Sequence, residues 1–210
     1  MPKPVLYHTP NSRSQTPQWL NEELGGVCDV KLINLAAQEH KAPEFLKLNP
    51  MGKIPVLIHE GVVISEAAAI CVYLADRFPN AGLAPKFDDP RRGTYLRWIF
   101  FAPSSIEPLI LDKLMPVERP NPDAVLYGSE ESALNTMRHA LSNGDYILGD
   151  QFSAADVVFG SALNFAMLFG AIEKEKLFTD YVDRLMARPA AQKCAEANQQ
   201  FSKELGLDNQ

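Results

Sequence analysis

Cysteine is scarce. The three residues Cys28, Cys71 and Cys194 are odd in number, far apart, and form no C-x-x-C pair. That argues against a disulfide framework and against a zinc site. They read as isolated reduced thiols packed as small apolar groups, which fits a cytoplasmic protein. Long apolar runs are missing too. No stretch approaches the roughly 18 residues that a membrane helix needs. The segment Met1 to Tyr7 carries one Lys and too short an apolar stretch for a signal peptide, so neither membrane insertion nor export is expected. Positive charge is in deficit: Lys and Arg total 20 against 26 Asp and Glu, a formal charge of -6. A nucleic-acid partner is therefore not expected, because binding a phosphate backbone usually calls for a basic stripe. The histidines His8, His59 and His139 lack metal-like spacing, so they read as structural or exposed and no metal is expected.

What remains is ordinary globular material. The chain has 210 residues, 46% hydrophobic and 22% charged, enough for one large domain or two small ones. The first 80 residues alternate strand and helix signals. Val5-Leu6-Tyr7 is a short apolar run ended by Thr9-Pro10-Asn11. Thr16-Pro17 suggests a capped helix start, and Gly25-Gly26 its stop. Val30 to Ile33 suggests a second strand, and Pro43 to Leu48 a short helix. Ile54 to Ile58 and Val62 to Ile64 flank Glu60-Gly61 as a tight hairpin. Ser65 is placed to cap a helix from Glu66 to Phe78. The order is β-α-β-α-β-β-α over residues 1–80. A linker rich in Pro, Gly and Asp follows over 81–90, and an all-helical domain over 91–210. Within the latter, the expected helices include Arg91 to Leu114, bent at Pro103, then Asp123 to Asn143 after a loop marked by Pro116, Pro120 and Pro122. Another runs from Ser153 to Phe169, and two more follow. Ser153 and Asp156 have the spacing of a capping box, a structural device.

Four segments carry possible chemistry. In Asn49 to Leu57, Pro55 opens a strand although it cannot donate to a ladder. This reads either as a plain turn or as a cis Ile54-Pro55 bond that leaves Ile54 backbone groups for a peptide ligand. In Ile64 to Ala68, a helix N-terminus offers N–H groups to a carboxylate, while Glu66 either complements the helix dipole or binds an ammonium. His40-Lys41 reads as solvated surface or as an anchor for a second carboxylate. The loop Thr9-Pro10-Asn11-Ser12-Arg13-Ser14 holds hydroxyls that act as turn residues or as donors to a reactive atom.

The run Asn49 to Pro79, "NPMGKIPVLIHEGVVISEAAAICVYLADRFP", with "EHKAPEFLKL" before it and "FSAAD" in the second half, resembles the glutathione transferase superfamily over the whole chain. The resemblance implies an α/β thioredoxin-like first domain, an all-α second domain, a homodimer, and glutathione as co-substrate. Carried over, Glu66 holds the γ-glutamyl amine, and the backbone at Glu66-Ala67 cradles the neighbouring carboxylate. Ile54, before cis-Pro55, pairs with the cysteinyl part. Lys53, Lys41 and His40 meet the glycyl carboxylate. Family members usually carry Ser after the Glu, where this chain has Ala67.

A thiol with pKa near ~8.5 is only a few per cent ionised at neutral pH, so the central task is to stabilise the thiolate with a donor. Serine-type members place Ser two positions after a Pro, which selects Ser12. Asn11, Arg13 and Ser14 are helpers, and Tyr7 is a minor candidate. The Cys-using bacterial pattern puts Arg13 where its Cys would stand, which disfavours Cys-based reduction. The expected activity is conjugation of glutathione to an apolar electrophile. Trp98, Phe100, Phe101, Ile106 and Met115 are the candidate apolar wall. The alternatives are another glutathione-dependent enzyme (isomerase, dehalogenase, ether-cleaving enzyme or peroxidase) and a non-catalytic glutathione-binding module.

Overall fold

The computed structural model describes residues 2–118 and 124–207. Strands β1 (Val5–His8), β2 (Asp29–Leu32), β3 (Val56–His59) and β4 (Val62–Ser65) form one sheet in the order β2-β1-β3-β4. β1 and β2 run parallel, with Leu6 opposite Val30, while β3 is antiparallel to β1 and β4. Parallel strands need a crossover, which α1 (Gln15–Glu23) supplies. The β3–β4 register sets His59 opposite Val62, so Glu60 and Gly61 alone make the turn. Both have positive φ (50° and 80°), as a type I′ hairpin demands.

Consecutive strand residues point to opposite faces, and here both faces are covered. Tyr7 and Val56 join Ile33 and Phe45 in one cluster beside α2 (Pro43–Leu48). Their neighbours Leu6 and Leu57 are fully buried as well, and α1 packs against α3 (Ala67–Arg77). Tyr7 is thus a core ring, 5.8 Å edge-on from Phe45.

Residues 82–186 form a separate helical unit. α4 (Arg92–Phe101) and α5 (Glu107–Leu114) are joined by a π-helical turn, Ala102–Ile106, around Pro103. The missing proline N–H is accommodated as a wider turn in an otherwise continuous rod. Next come α6 (Glu130–Leu141), α7 (Ala154–Leu168) and α8 (Lys176–Met186). The helix expected from Asp123 begins instead at Glu130, where Ser129 and Ser132 form a capping box after Gly128. Pro120, Pro122 and Asp123 themselves lie outside the described residues. Asp156 does close the box with Ser153 N–H (2.8 Å), and it also accepts from Ile147 N–H (2.8 Å) and the Tyr181 hydroxyl (3.0 Å).

The division between units differs from the sequence-based one at the C-terminus. Ala187–Gln210 groups with Met1–Ala81. The reason is α9 (Pro189–Glu204), which docks on α1 through Arg188 with Glu23 (2.7 and 2.8 Å) and Lys193 with Glu22 (2.7 Å).

Two expected caps also differ. α1 begins at Gln15 with Ser14 at its N-cap, so Thr16 lies inside the first turn. Ser65 ends β4, and Glu66 takes the N-cap position of α3.

Candidate functional site

β1 delivers the chain into a six-residue loop whose two serine hydroxyls are bonded to each other. Ser12 Oγ lies 2.8 Å from the Thr9 carbonyl and 2.7 Å from Ser14 Oγ, and accepts from Ser14 N–H at 3.1 Å. Ser14 Oγ accepts from Thr9 N–H (3.1 Å) and lies 2.8 Å from His8 Nδ1. His8 Nε2 stands 2.7 Å from Asn198 Oδ1 on α9. Ser14 is fully buried and therefore spends its hydroxyl in this network rather than on the α1 N-terminus. Ser12 is half-buried and Asn11 exposed, the latter with φ 56°. Thr9 Oγ1 is enclosed and has no hydrogen-bond partner among the described residues.

The N-terminus of α3 is the second part. Glu66 has φ 69° and ψ 118°, an unusual backbone for a residue with a Cβ, and its side chain is exposed. It makes no capping hydrogen bond, and the first turn of α3 contains no acid. The free N–H groups of that turn can therefore receive an anion. Ala67 is the first helical residue, half-buried beside them.

The third part is cationic. His40 and Lys41 occupy the 3-10 turn Glu39–Lys41, and Lys41 Nζ donates to Met51 O at 3.2 Å. Gly52, with φ 59°, leaves no room: a Cβ there would meet Lys41 Nζ at 2.8 Å and His40 O at 2.9 Å. Asn49 Nδ2 donates to Lys53 O at 2.8 Å and holds the next residue of the same loop. Burial, then the charges of Lys41 and Lys53, lower the pKa of His40, so the three groups sense one another. His40 Nδ1 has no hydrogen-bond partner among the described residues. Ile54-Pro55 is cis, and Ile54 packs against the Tyr7 cluster.

A cavity of about 480 Å³ opens beside Asn11, lined also by Gln15 and by Asn198, Gln199, Ser202 and Lys203 of α9. Its lining is polar and apolar in about equal parts. The expected apolar wall is not one surface: Trp98 and Ile106 are core, Phe101 is half-buried, and Trp98 packs edge-on against Phe101 and Phe159. Phe100 and Met115 are exposed. Burial pushes the thiols of Cys28 and Cys194 up to about 12 and raises that of Cys71, so none ionises near neutral pH. Among the described residues no cluster of metal-ligating side chains occurs, and no helix is long and apolar enough to cross a membrane.

Sequence reasoning named Glu66, His40, Lys41 and Lys53 as candidates and missed the His8–Asn198 contact. No local pattern announces a bond between residues 190 apart. It also passed over Thr9, whose hydroxyl reads as an ordinary turn residue until its neighbours' bonds are traced.

Residues 3–76 match the family model for the glutathione S-transferase N-terminal domain, and residues 111–189 that for the C-terminal domain. Glutathione S-transferase 3 of Schizosaccharomyces pombe is 30% identical over 169 residues, covering 72% of this chain and 69% of that protein. Among solved structures, a glutathione transferase from Methylococcus capsulatus is 27% identical with a TM-score of 0.78, covering 94% of this chain and 99% of the other. A sphingomonad glutathione S-transferase complexed with glutathione is 26% identical with a TM-score of 0.76, covering 93% and 98%. With a thioredoxin-like sheet unit, a helical unit, and relatives that span most of its length, the chain belongs to the glutathione S-transferase family.

Proposed function

We propose that this chain binds glutathione on its first unit and activates the thiol for attack on an electrophilic carbon. The observation that carries the reading is the N-terminus of α3, free of side-chain caps and of acids, with Glu66 projecting beside it. An amino-acid end would place its carboxylate on the N–H groups at Glu66-Ala67 and its ammonium on Glu66. The glycyl carboxylate suits His40, Lys41 and Lys53, and the cysteinyl backbone pairs at Ile54 beside cis-Pro55. That the sphingomonad relative was solved with glutathione supports the same ligand here.

The thiol donor belongs to the loop after β1. Ser12 is the first proposal. Thr9 is a second, because its hydroxyl is uncommitted whereas Ser12 already bonds the Thr9 carbonyl and Ser14. The cavity at Asn11, with polar and apolar lining in about equal parts, suits an electrophile that carries hydrogen-bonding groups beside an apolar part. A homodimer is part of the same reading. Calorimetry with glutathione, then a panel of electrophiles and hydroperoxides, tests it. Absence of binding sinks the proposal, and peroxidase activity without conjugation moves the reaction to that alternative.

A further inference from the structure

Four groups form a polar chain from α9 to the loop: Asn198, His8 and Ser14, all buried, and Ser12, half-buried. Each link is short, at 2.7, 2.8 and 2.7 Å. Hydrogen bonds of this kind have a direction, and here one end sets it. Asn198 directs Nδ2 to Cys194 Sγ (3.4 Å) and Oδ1 to His8. An amide oxygen only accepts, so His8 carries its proton on Nε2. Nδ1 of a neutral ring then needs a donor, and the Ser14 hydroxyl is in place to supply it. With its proton on His8, Ser14 presents only lone pairs to Ser12. The Ser12 proton is therefore drawn inward, to Ser14 Oγ or to the Thr9 carbonyl at 2.8 Å.

We propose that Asn198 and His8 are positioning residues that rest the Ser12 O–H inward, so that turning it out to donate to a bound thiolate costs an inward hydrogen bond. The proposal rests on the reading that this loop serves a bound thiol. Its consequence is specific. If His8 carried a proton on Nδ1, Ser14 would accept from the ring and turn its own proton to the Thr9 carbonyl (3.0 Å) or to Ser12 Oγ, competing for the inward acceptors of Ser12. Ser12 would then be free to donate outward to a thiolate. Chain polarity thus sets the cost at which the Ser12 proton turns outward to the thiolate.

The surroundings keep His8 in the neutral form. The ring is fully buried and 5.6 Å edge-on from Phe201. Where α1 packs on α9, the Glu22 and Glu23 carboxylates are paired with Lys193 and Arg188. Cys194, beside Asn198, is a buried thiol with its pKa pushed up, so it adds no charge. Burial depresses the imidazole pKa to about 4.

Nitrogen-15 NMR of the full chain reads the ring directly, with or without glutathione. The parent should show His8 protonated at Nε2 and bare at Nδ1 at neutral pH; an Nδ1–H tautomer overturns the proposal. Asn198→Asp supplies a carboxylate that favours imidazolium, so both nitrogens should be protonated. Ultraviolet titration of bound glutathione should then give a thiol pKa lower by about one unit, a tenfold rise in the thiolate-to-thiol ratio. Imidazolium with an unchanged thiol pKa overturns the link from His8 to the reaction. If glutathione does not bind the parent in calorimetry, the proposed function fails, while the NMR of the parent still decides the polarity. That measurement on the parent also stands if Asn198→Asp does not fold.

Discussion

Glu66 keeps a backbone that most residues avoid, and its side chain repays the fold with no capping bond. A residue held at positive φ without local compensation points to use elsewhere. Glu66→Gly separates the two effects. Glycine accepts φ 69° freely, so the variant should be more stable by about 1 kcal/mol, or roughly 2–4 °C in melting temperature for a chain of this size. Its glutathione affinity should nonetheless fall, because losing one partner of a charged contact costs about 2–5 kcal/mol. Calorimetry and thermal melts on the same preparations decide it; undiminished affinity would move the ammonium site elsewhere. The opposite sign is expected at the next residue. Ala67→Ser adds a hydroxyl beside the same N–H groups and should tighten binding about fivefold, near ~1 kcal/mol after the cost of fixing the rotamer. The thiol donor is settled at this scale as well. Ser12→Ala and Thr9→Val, each titrated with glutathione bound, should show a raised thiol pKa in whichever variant lacks the donor. Glu66 and its neighbours were legible in the sequence because a strand, a turn and a helix start fix their positions within a few residues. The choice between Thr9 and Ser12 was not, since it depends on which hydroxyl its neighbours have already engaged.

At the scale of elements, the sequence's punctuation was read well at three places where Gly or Pro marks a turn. Glu60-Gly61, Gly25-Gly26 and Pro103 all act where their chemistry places them. Caps were read less well. Thr16 and Ser65 are sound capping residues by type, but each lies one or two positions from the N-cap that the structure uses. Propensity alone cannot locate a cap when a neighbouring strand or a buried hydroxyl network decides where the chain turns. Gly52 carries an element-level prediction. Its missing Cβ lets the Met51–Lys53 loop touch the Glu39–Lys41 turn. Gly52→Ala adds strain at φ 59° and pushes Lys41 and His40 away, so glutathione should bind about tenfold more weakly, or ~1.4 kcal/mol. Calorimetry checks this, and unchanged affinity would remove the basic cluster from the site.

For the whole molecule, the sequence showed two kinds of half but not that the first half needs the last helix. Strand signals stop near residue 80, which is legible. The docking of α9 on α1 is a matter of side-chain bonds between distant segments, and periodicity does not encode the partner. His8 sits at that junction, which makes the first unit sensitive to acid. Its folded pKa of about 4 lies below the ordinary imidazole value of 6.5, because burial disfavours the charged ring. The stability this contributes is complete above pH 6.5. It declines as pH falls, because the unfolded chain takes up the proton first, and it is fully lost below pH 4. The difference of about 2.5 units corresponds to about 3 kcal/mol, a sizeable share of a domain's stability. The hydrogen bonds to Asn198 and Ser14 favour the charged ring but burial outweighs them, so the packing of α9 over His8 should loosen first. Amide exchange between pH 7 and pH 4 should therefore rise in 189–204 before it rises in the sheet. In His8→Gln, which cannot take up this proton, the acid slope of stability should flatten by the same ~3 kcal/mol. An equal slope in parent and variant would assign the acid sensitivity to other groups and show that His8 is not held neutral by its burial.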